Sequence, residues 1–273
     1  MTKEFRINVQ EIIHTKAPQA AKKIPGFVVK ALAKLIKQDG LNQFLAFNGN
    51  AKGVDFMNNA VHYFNVSLRF VGEENLPDAD KQCIFASNHP LGGMDGICLS
   101  AYLGNHYHTK IKYLVNDILY FITPLQNIFI PINKHGAQGR EAAKTLNDAF
   151  ASDNQIITFP AGLCSRKTKG VIRDPEWKKM MIVKAVEYKR DIIPVFFDAK
   201  NSASFYRIAN MRKKAGIKFN IEMLFLPREL FKAGGSLFTV YFGKPIPWQT
   251  FDSSKNPQEW ADWVKQVVYN TVR

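Results

Sequence analysis

The segment Cys83-Ile84-Phe85-Ala86-Ser87-Asn88-His89-Pro90-Leu91-Gly92-Gly93-Met94-Asp95 runs from an apolar stretch through a polar loop into a helical pattern. Its first residues are β-prone and predict a short strand that ends at Ser87. Asp95 suits a helix start, because a carboxylate there accepts hydrogen bonds from free backbone amides and is stabilised by the helix dipole. The two glycines allow the loop between strand and helix to double back towards His89.

Short apolar runs and helical patterns continue to alternate along the chain from residue 66 onwards. This alternation predicts an α/β fold with a central, mostly parallel sheet flanked by helices. The predicted strands are residues 66–71, 82–87, 112–115, 128–130, 155–159, 192–197 and 237–242. The predicted helices are residues 95–103, a helix near 120, 139–152, 175–189, 202–215 and 257–271.

Residues 1–65 predict an N-terminal helical segment that precedes a main domain at residues 66–273. Its clearest helix covers residues 24–37, where apolar side chains recur at helical spacing and lysines fall largely on the other side. Two interpretations stay open for this helix. It packs its apolar stripe on the domain core, or it lies in the headgroup plane of a membrane. We expect the segment to face a membrane.

The chain is strongly basic, with 37 lysines and arginines against 23 acidic residues and a net charge of +14. Such an excess favours anionic partners. The sequence has no zinc-knuckle spacing, no aromatic RNA-binding motif and no basic low-complexity tail, so we predict an anionic membrane surface and not nucleic acid.

The sequence predicts a peripheral protein on the cytoplasmic face of the membrane. It opens with no signal peptide and has no apolar stretch of the roughly 18–20 residues that a membrane span needs. Its three cysteines are far apart in the chain, which suits a reducing compartment. His106 and His108 lack a supporting cluster, so no metal site is predicted.

His89 and Asp95 together predict a general base. A carboxylate fixes the ring through Nδ1–H, and Nε2 then takes a proton from an incoming nucleophile. In the simpler interpretation, Asp95 only caps a helix and His89 is a turn residue. A nucleophilic Cys164 would instead make a thioesterase or a ping-pong transferase, although we favour a packing role for Cys164.

Four ordered stretches resemble the motifs of the glycerolipid acyltransferases, which include the lysophosphatidate acyltransferases. They are the Asn88-His89…Asp95 loop, residues 128–134, residues 159–166 and residues 192–196. The lead-in at 71–77 and the later stretch at 242–246 also look like this family, so the resemblance spans roughly residues 66–247.

The resemblance implies a glycerolipid-acyltransferase fold, with residues 66–273 as the catalytic domain of an enzyme of lipid biosynthesis. A fatty acyl group would pass directly from acyl-CoA or acyl carrier protein to the acceptor, with His89 as base and Asp95 as its partner. No cofactor besides the donor is implied. Backbone amides near Gly162 would hold the oxyanion. The residues expected to bind the acceptor or its phosphate are Asn88, Lys134, Gly162, Ser165 and Arg166.

Three departures leave the acceptor open. Five residues separate His89 from Asp95 where the family has four, Ala161 replaces a glutamate, and the second motif ends in Asn133-Lys134 without the usual arginine. The Asn-His-Pro-Leu-Gly-Gly form resembles the hemolysin-like branch, which includes N-acyltransferases that make ornithine and glycine lipids. The acceptor is therefore a lysophospholipid hydroxyl or an amino-acid amine. The alternative from another class is a non-catalytic module that binds lipid or acyl carrier protein.

Overall fold

A central β-sheet organises the residues that a computed structural model describes, which are 6–16, 18–21, 24–116, 119–132 and 137–272. Within these residues the sheet has seven strands in the order β1-β9-β8-β2-β5-β3-β4, and β6 and β7 form a separate antiparallel hairpin. In chain order the strands are β1 (Ser67–Val71), β2 (Cys83–Ser87), β3 (Ile111–Asn116), β4 (Phe129–Ile132), β5 (Gln155–Thr158), β6 (Arg166–Thr168), β7 (Val171–Arg173), β8 (Asp191–Asp198) and β9 (Leu237–Phe242).

The sheet is parallel at every strand pair except the antiparallel pair of β8 and β9. This confirms the predicted fold class. β2 lies at the centre between β5 and β8, and all five of its residues are buried. A strand covered on both faces needs a continuous apolar run, which is what residues 83–86 provide.

Helices cover both faces of the sheet. In chain order they are α1 (Val9–Lys16), α2 (Pro18–Ala21), α3 (Gly26–Leu35), α4 (Gln38–Asn48), α5 (Gly53–Tyr63), α6 (Met94–His106), α7 (Ala137–Ala151), α8 (Met180–Glu187), α9 (Ala203–Lys214), α10 (Leu226–Lys232) and α11 (Pro257–Asn270). Alternate residues of β2 point to opposite faces. Phe85 joins a core with residues of α5 and α6, whereas Ile84 joins a second core with residues of α8 and α11.

Four regions differ from the sequence-based expectation, and one of them is α10, which the sequence pattern did not predict. The helix near residue 120 is a pair of short 3₁₀ turns, Leu119–Phe121 and Thr123–Leu125. The helix expected at 175–189 begins only at Met180, and residues 174–178 before it have no regular secondary structure. The β6–β7 hairpin was not predicted. Its two-residue turn, Lys169-Gly170, has positive φ at both positions, as a type I′ turn requires.

The N-terminal helices divide by burial. α4 and α5 bury apolar side chains such as Phe44 and Phe56 in the core that also contains Phe85. α3 has no buried residue among its ten described residues. The domain boundary at residue 65 and the membrane-facing role stay predictions. Among the described residues, no helix has the length and apolar character to cross a bilayer.

A close approach between α5 and α6 provides a test of this packing. A Cβ added at Gly104 would lie 2.5 and 2.6 Å from the two methyl carbons of Val54, which is buried. We expect Gly104→Ala to lower the free energy of unfolding by about 1–3 kcal/mol, because overpacking forces the two helices apart. Urea or thermal unfolding measures the effect. Gly26→Ala is the control, since no heavy atom lies within 4 Å of its added Cβ. Equal stability of the two variants would contradict the packing.

Candidate active site

Three neighbouring parallel strands, β2, β5 and β8, end at the same edge of the sheet. The loops that follow them carry His89 after β2, Ser165 after β5 and Asn201 after β8. Parallel strands place their carboxyl ends together, so residues far apart in sequence converge at this edge. The predicted motif residues therefore meet because of the strand order.

His89 and Asp95 are in direct contact. The Nδ1 atom of His89 lies 3.0 Å from Oδ2 of Asp95, and the Asp95 side chain is fully buried. The same carboxylate accepts hydrogen bonds from the backbone amides of Leu91 (2.9 Å), Gly92 (3.3 Å), Gly93 (3.0 Å) and Gly96 (2.9 Å). The left-handed backbone of Gly92, with φ 73°, turns the loop around the carboxylate and accommodates the extra residue.

The electrostatics of the pair favour an ionised Asp95. Burial alone would raise the pKa of Asp95, but the charge and hydrogen bond of His89 and the backbone amides outweigh it and hold this pKa below its usual value. Burial alone would lower the pKa of His89, yet the charge and hydrogen bond of Asp95 raise it above its usual value. The His89 side chain keeps 15% of its surface exposed, so the ring is accessible to a reactant.

Asp174 is a second buried carboxylate beside His89, and the sequence analysis missed it. Both of its oxygens lie 3.2 Å from the His89 backbone nitrogen, which donates to them. The same carboxylate accepts from Ser165 Oγ at 2.5 Å and from Trp177 Nε1 at 2.9 Å. Burial raises the pKa of Asp174 above its usual value, although these donors oppose the shift. No local motif marks this residue, because its contact with His89 joins residues 85 positions apart in the sequence.

Ser165 and Asn88 fix the site to the sheet. Ser165 is buried, and its amide donates to the carbonyl of His89 at 2.7 Å. Asn88 is also buried; its side chain donates to the Phe197 carbonyl at 3.0 Å and accepts from the Phe197 amide at 2.7 Å. Both side chains thus make positioning contacts within the protein. Their predicted contacts with the acceptor stay predictions.

Asn201, in the loop after β8, donates hydrogen bonds to the loop that joins His89 to Asp95. Its side-chain nitrogen lies 3.1 Å from the Pro90 carbonyl oxygen and 3.4 Å from that of Leu91. These bonds hold the loop carbonyls on the side opposite to Asp95. Sequence analysis did not single out Asn201, because it lies more than a hundred residues from the loop it supports.

Three more residues were predicted to bind the acceptor or its phosphate: Gly162, Arg166 and Lys134. Gly162 is exposed in a left-handed turn, and its own amide donates to the Phe159 carbonyl. The Gly162 amide is therefore already bonded, and an oxyanion contact with the backbone amides next to it stays a prediction. Arg166 donates to the Cys164 carbonyl at 2.7 Å and to Glu222 at 2.9 Å, and its role with an acceptor also stays a prediction. Lys134 lies outside the described residues.

Cys164 is fully buried, and burial raises the pKa of its thiol to about 11. A thiol with this pKa stays protonated near neutral pH, which argues against a nucleophilic role. It packs with Phe205 and Tyr206. Among the described residues, no group of three or more histidine, cysteine or acidic side chains is arranged to hold a metal ion.

Comparison with known proteins defines the class of this chain. A family model described as an acyltransferase matches residues 11–272, and the chain belongs to this acyltransferase family. It is an enzyme that transfers acyl groups, and the resemblance to the glycerolipid acyltransferases is confirmed.

Two relatives extend over nearly the whole chain. A lyso-glycine lipid O-acyltransferase from Bacteroides thetaiotaomicron is 50% identical over 265 residues, which cover 97% of this chain and 97% of the relative. A protein of the same name from Phocaeicola vulgatus is 49% identical over 265 residues, 97% of this chain and 95% of the relative. These relatives favour an enzyme over a non-catalytic binding module.

The crystal structure of the 1-acyl-sn-glycerophosphate acyltransferase PlsC from Thermotoga maritima is similar with a TM-score of 0.49 and 17% identity. The match covers 96% of this chain and 92% of that one.

Asp174 gives a test of how the site is held together. Asp174→Ala leaves the His89 amide, the Ser165 hydroxyl and the Trp177 ring without their acceptor, and each buried unsatisfied group costs about 1–3 kcal/mol. We expect acyl transfer to fall by roughly tenfold or more, because His89 loses its backbone anchor. Transfer rate and thermal stability are measured together. Asp153→Asn, at an exposed pair with Lys110, is the control, and a fully active Asp174→Ala enzyme would contradict the anchoring role.

Proposed function

We propose that this enzyme transfers a fatty acyl group from an acyl thioester to the hydroxyl of a lyso-glycine lipid, with His89 as general base. The 3.0 Å contact between His89 and Asp95, on a loop with an accessible ring, is the observation that carries the mechanism. The two relatives named as lyso-glycine lipid O-acyltransferases support this acceptor.

In the proposed step, Asp95 accepts Nδ1–H of His89 and leaves Nε2 as the proton acceptor. Nε2 takes the hydroxyl proton of the acceptor as its oxygen attacks the thioester carbon. The tetrahedral oxyanion collapses, the carbon–sulfur bond breaks, and the leaving thiolate takes the proton back from the imidazolium. Asp95 stabilises that imidazolium while it exists, and no acyl-enzyme forms.

A hydroxyl acceptor is favoured over an amine. Both acceptors need a base, but the two relatives act on oxygen, as their names state. The resemblance implies that a glutamate and an arginine hold glycerol phosphate in other members. Ala161 and the missing arginine therefore fit an acceptor without glycerol phosphate.

The donor is proposed as acyl-CoA or acyl carrier protein. Both carry phosphate, and the carrier protein is acidic, so each complements a chain with net charge +14. Assays with the two donors in parallel distinguish them.

Replacement of His89 tests the base directly. We expect His89→Gln to lower transfer by about 10²–10⁴-fold, the usual contribution of a positioned base. The readout is thiol release from acyl-CoA that depends on added lyso-glycine lipid, with product detected by mass spectrometry. His14→Gln, at an exposed position on α1, is the control. Full activity of a folded His89→Gln enzyme would eliminate His89 as the base.

The pH dependence tests the His89–Asp95 contact. Transfer requires neutral His89, whose pKa is raised, so kcat/KM should increase as pH rises through this raised pKa. Asp95→Asn removes the charge that raises the pKa and leaves burial, which lowers it. The acidic limb should then move to lower pH while the maximal rate falls. A limb that stays in place would contradict this coupling.

The bond in the product decides between hydroxyl and amine acceptors. Mild alkali cleaves an ester and spares an amide, so we expect a base-labile acyl group on lyso-glycine lipid and no product from free glycine or ornithine. Lysophosphatidate serves as the competing hydroxyl acceptor. A base-resistant product, or preferred use of lysophosphatidate, would overturn the proposed acceptor.

A further inference from the structure

Two segments beside the catalytic loop expose large apolar side chains. They are the β6–β7 hairpin and residues 207–219, which contain most of α9 and the loop after it; α9 packs against β6. The exposed fractions are 63% for Met211, 43% for Ile217, 65% for Phe219 and 59% for Val171. Single exposed apolar residues are common on soluble proteins, but a group of large ones on adjoining segments marks an interaction surface.

The same two segments are cationic without acidic residues. Residues 166–173 contain four lysines and arginines, and residues 207–219 contain five. No aspartate or glutamate occurs in residues 154–173 or 199–221. Glu222, which follows the second range, is buried between Arg166 and Arg212. Its charge is therefore matched internally and does not offset the exposed lysines.

Residues next to these segments pack towards the His89–Asp95 loop. Phe205 of α9 packs with Cys164, and Leu226 packs against the same cluster. The methyl carbons of Leu226 would lie only 3.0 Å from a Cβ added at Gly92, in the loop that surrounds Asp95. Phe205, at the start of α9, and Leu226, at the start of α10, therefore connect the helix that carries the surface to the His89–Asp95 loop.

We propose that this surface, the β6–β7 hairpin together with residues 207–219, docks the enzyme on an anionic lipid bilayer beside the active site. The apolar side chains enter the headgroup region, and the exposed lysines and arginines contact the anionic headgroups. The proposal deepens the proposed function, since a lipid acceptor would then be taken from the bilayer on which the site rests. An acidic carrier protein would match the cations, but large apolar side chains interleaved with cations match the interfacial region of a bilayer.

Vesicle sedimentation of the full chain tests the surface. The vesicles contain phosphatidylcholine alone or with phosphatidylglycerol. The apolar variant combines Met211→Ser, Ile217→Ser and Phe219→Ser, and the charge variant combines Lys213→Glu, Lys214→Glu and Lys218→Glu. We expect each to weaken binding to the anionic vesicles by about tenfold or more. The wild type should bind phosphatidylcholine alone far more weakly.

Matched controls separate a local surface from overall charge and from the N-terminal helices. Lys144→Glu, Lys178→Glu and Lys179→Glu make the same charge change at exposed positions elsewhere and should keep vesicle binding. Phe27→Ser with Lys30→Glu and Lys34→Glu alters α3. Loss of vesicle binding in the α3 variant, with binding retained in the two surface variants, would overturn the proposal.

A second measurement uses a fluorescent label to detect insertion of this surface into vesicles. The native cysteines Cys83, Cys98 and Cys164 are buried, so a polarity-sensitive dye on Phe219→Cys labels this surface. Its emission should shift to the blue with anionic vesicles, whereas the dye on Lys178→Cys should not respond. A silent Phe219→Cys label would count against the proposal.

Activity distinguishes failure of this surface from failure of the proposed function. Both surface variants should keep wild-type transfer to a short-chain, water-soluble lyso-glycine lipid and lose it on acceptor embedded in anionic vesicles. If wild-type enzyme uses neither acceptor, the proposed function fails while vesicle binding still reports on the surface. If the surface variants lose binding to acyl carrier protein and keep vesicle binding, the surface docks the carrier and not the bilayer.

Discussion

The buried carboxylate of Asp95 is the constraint around which the site is built. An ionised group without solvent is very costly unless hydrogen-bond donors surround it. Four donors to Asp95 are backbone amides of its own loop and helix start, and the fifth partner is the His89 ring. The loop conformation, the first turn of α6 and the orientation of the ring are therefore fixed by one charge.

A second carboxylate extends this arrangement to the rest of the sheet edge. Asp174 holds the backbone of His89 and the hydroxyl of Ser165, so the loops after β2 and β5 are joined through one group. Its charge also favours a proton on His89, while that of Arg166 opposes it. His89 thus lies between two carboxylates, one on its ring and one on its amide. In the proposed mechanism His89 becomes an imidazolium, and this placement stabilises its positive charge.

The parts of the fold and site that were predictable from sequence are local. The central strand, the Gly-Gly loop and the helix start at Asp95 lie within thirteen residues, and each leaves a pattern in the sequence. Asp174 and Asn201 left none, because their hydrogen bonds join segments that only the strand order brings together. A tertiary contact also accompanies the late start of α8. Trp177 donates a hydrogen bond to Asp174, and the helix begins only after it, at Met180, although the sequence around Trp177 has a helical pattern. The β6–β7 hairpin was not predicted because its two strands are short and rich in charged residues, so they lack the apolar pattern of a strand.

The pairing of β1 with β9 has a consequence for how the enzyme is made. Ser67 pairs with Leu237, and the central strand β2 pairs with β8, which follows it by more than a hundred residues. Contacts this distant in sequence form slowly and cannot form before both partners exist. During synthesis on the ribosome, the His89 loop is therefore translated long before Asp174 and Asn201 are available to hold it. The nascent chain therefore lacks a complete sheet until nearly its whole length has emerged, and apolar strands that are exposed in this way favour aggregation.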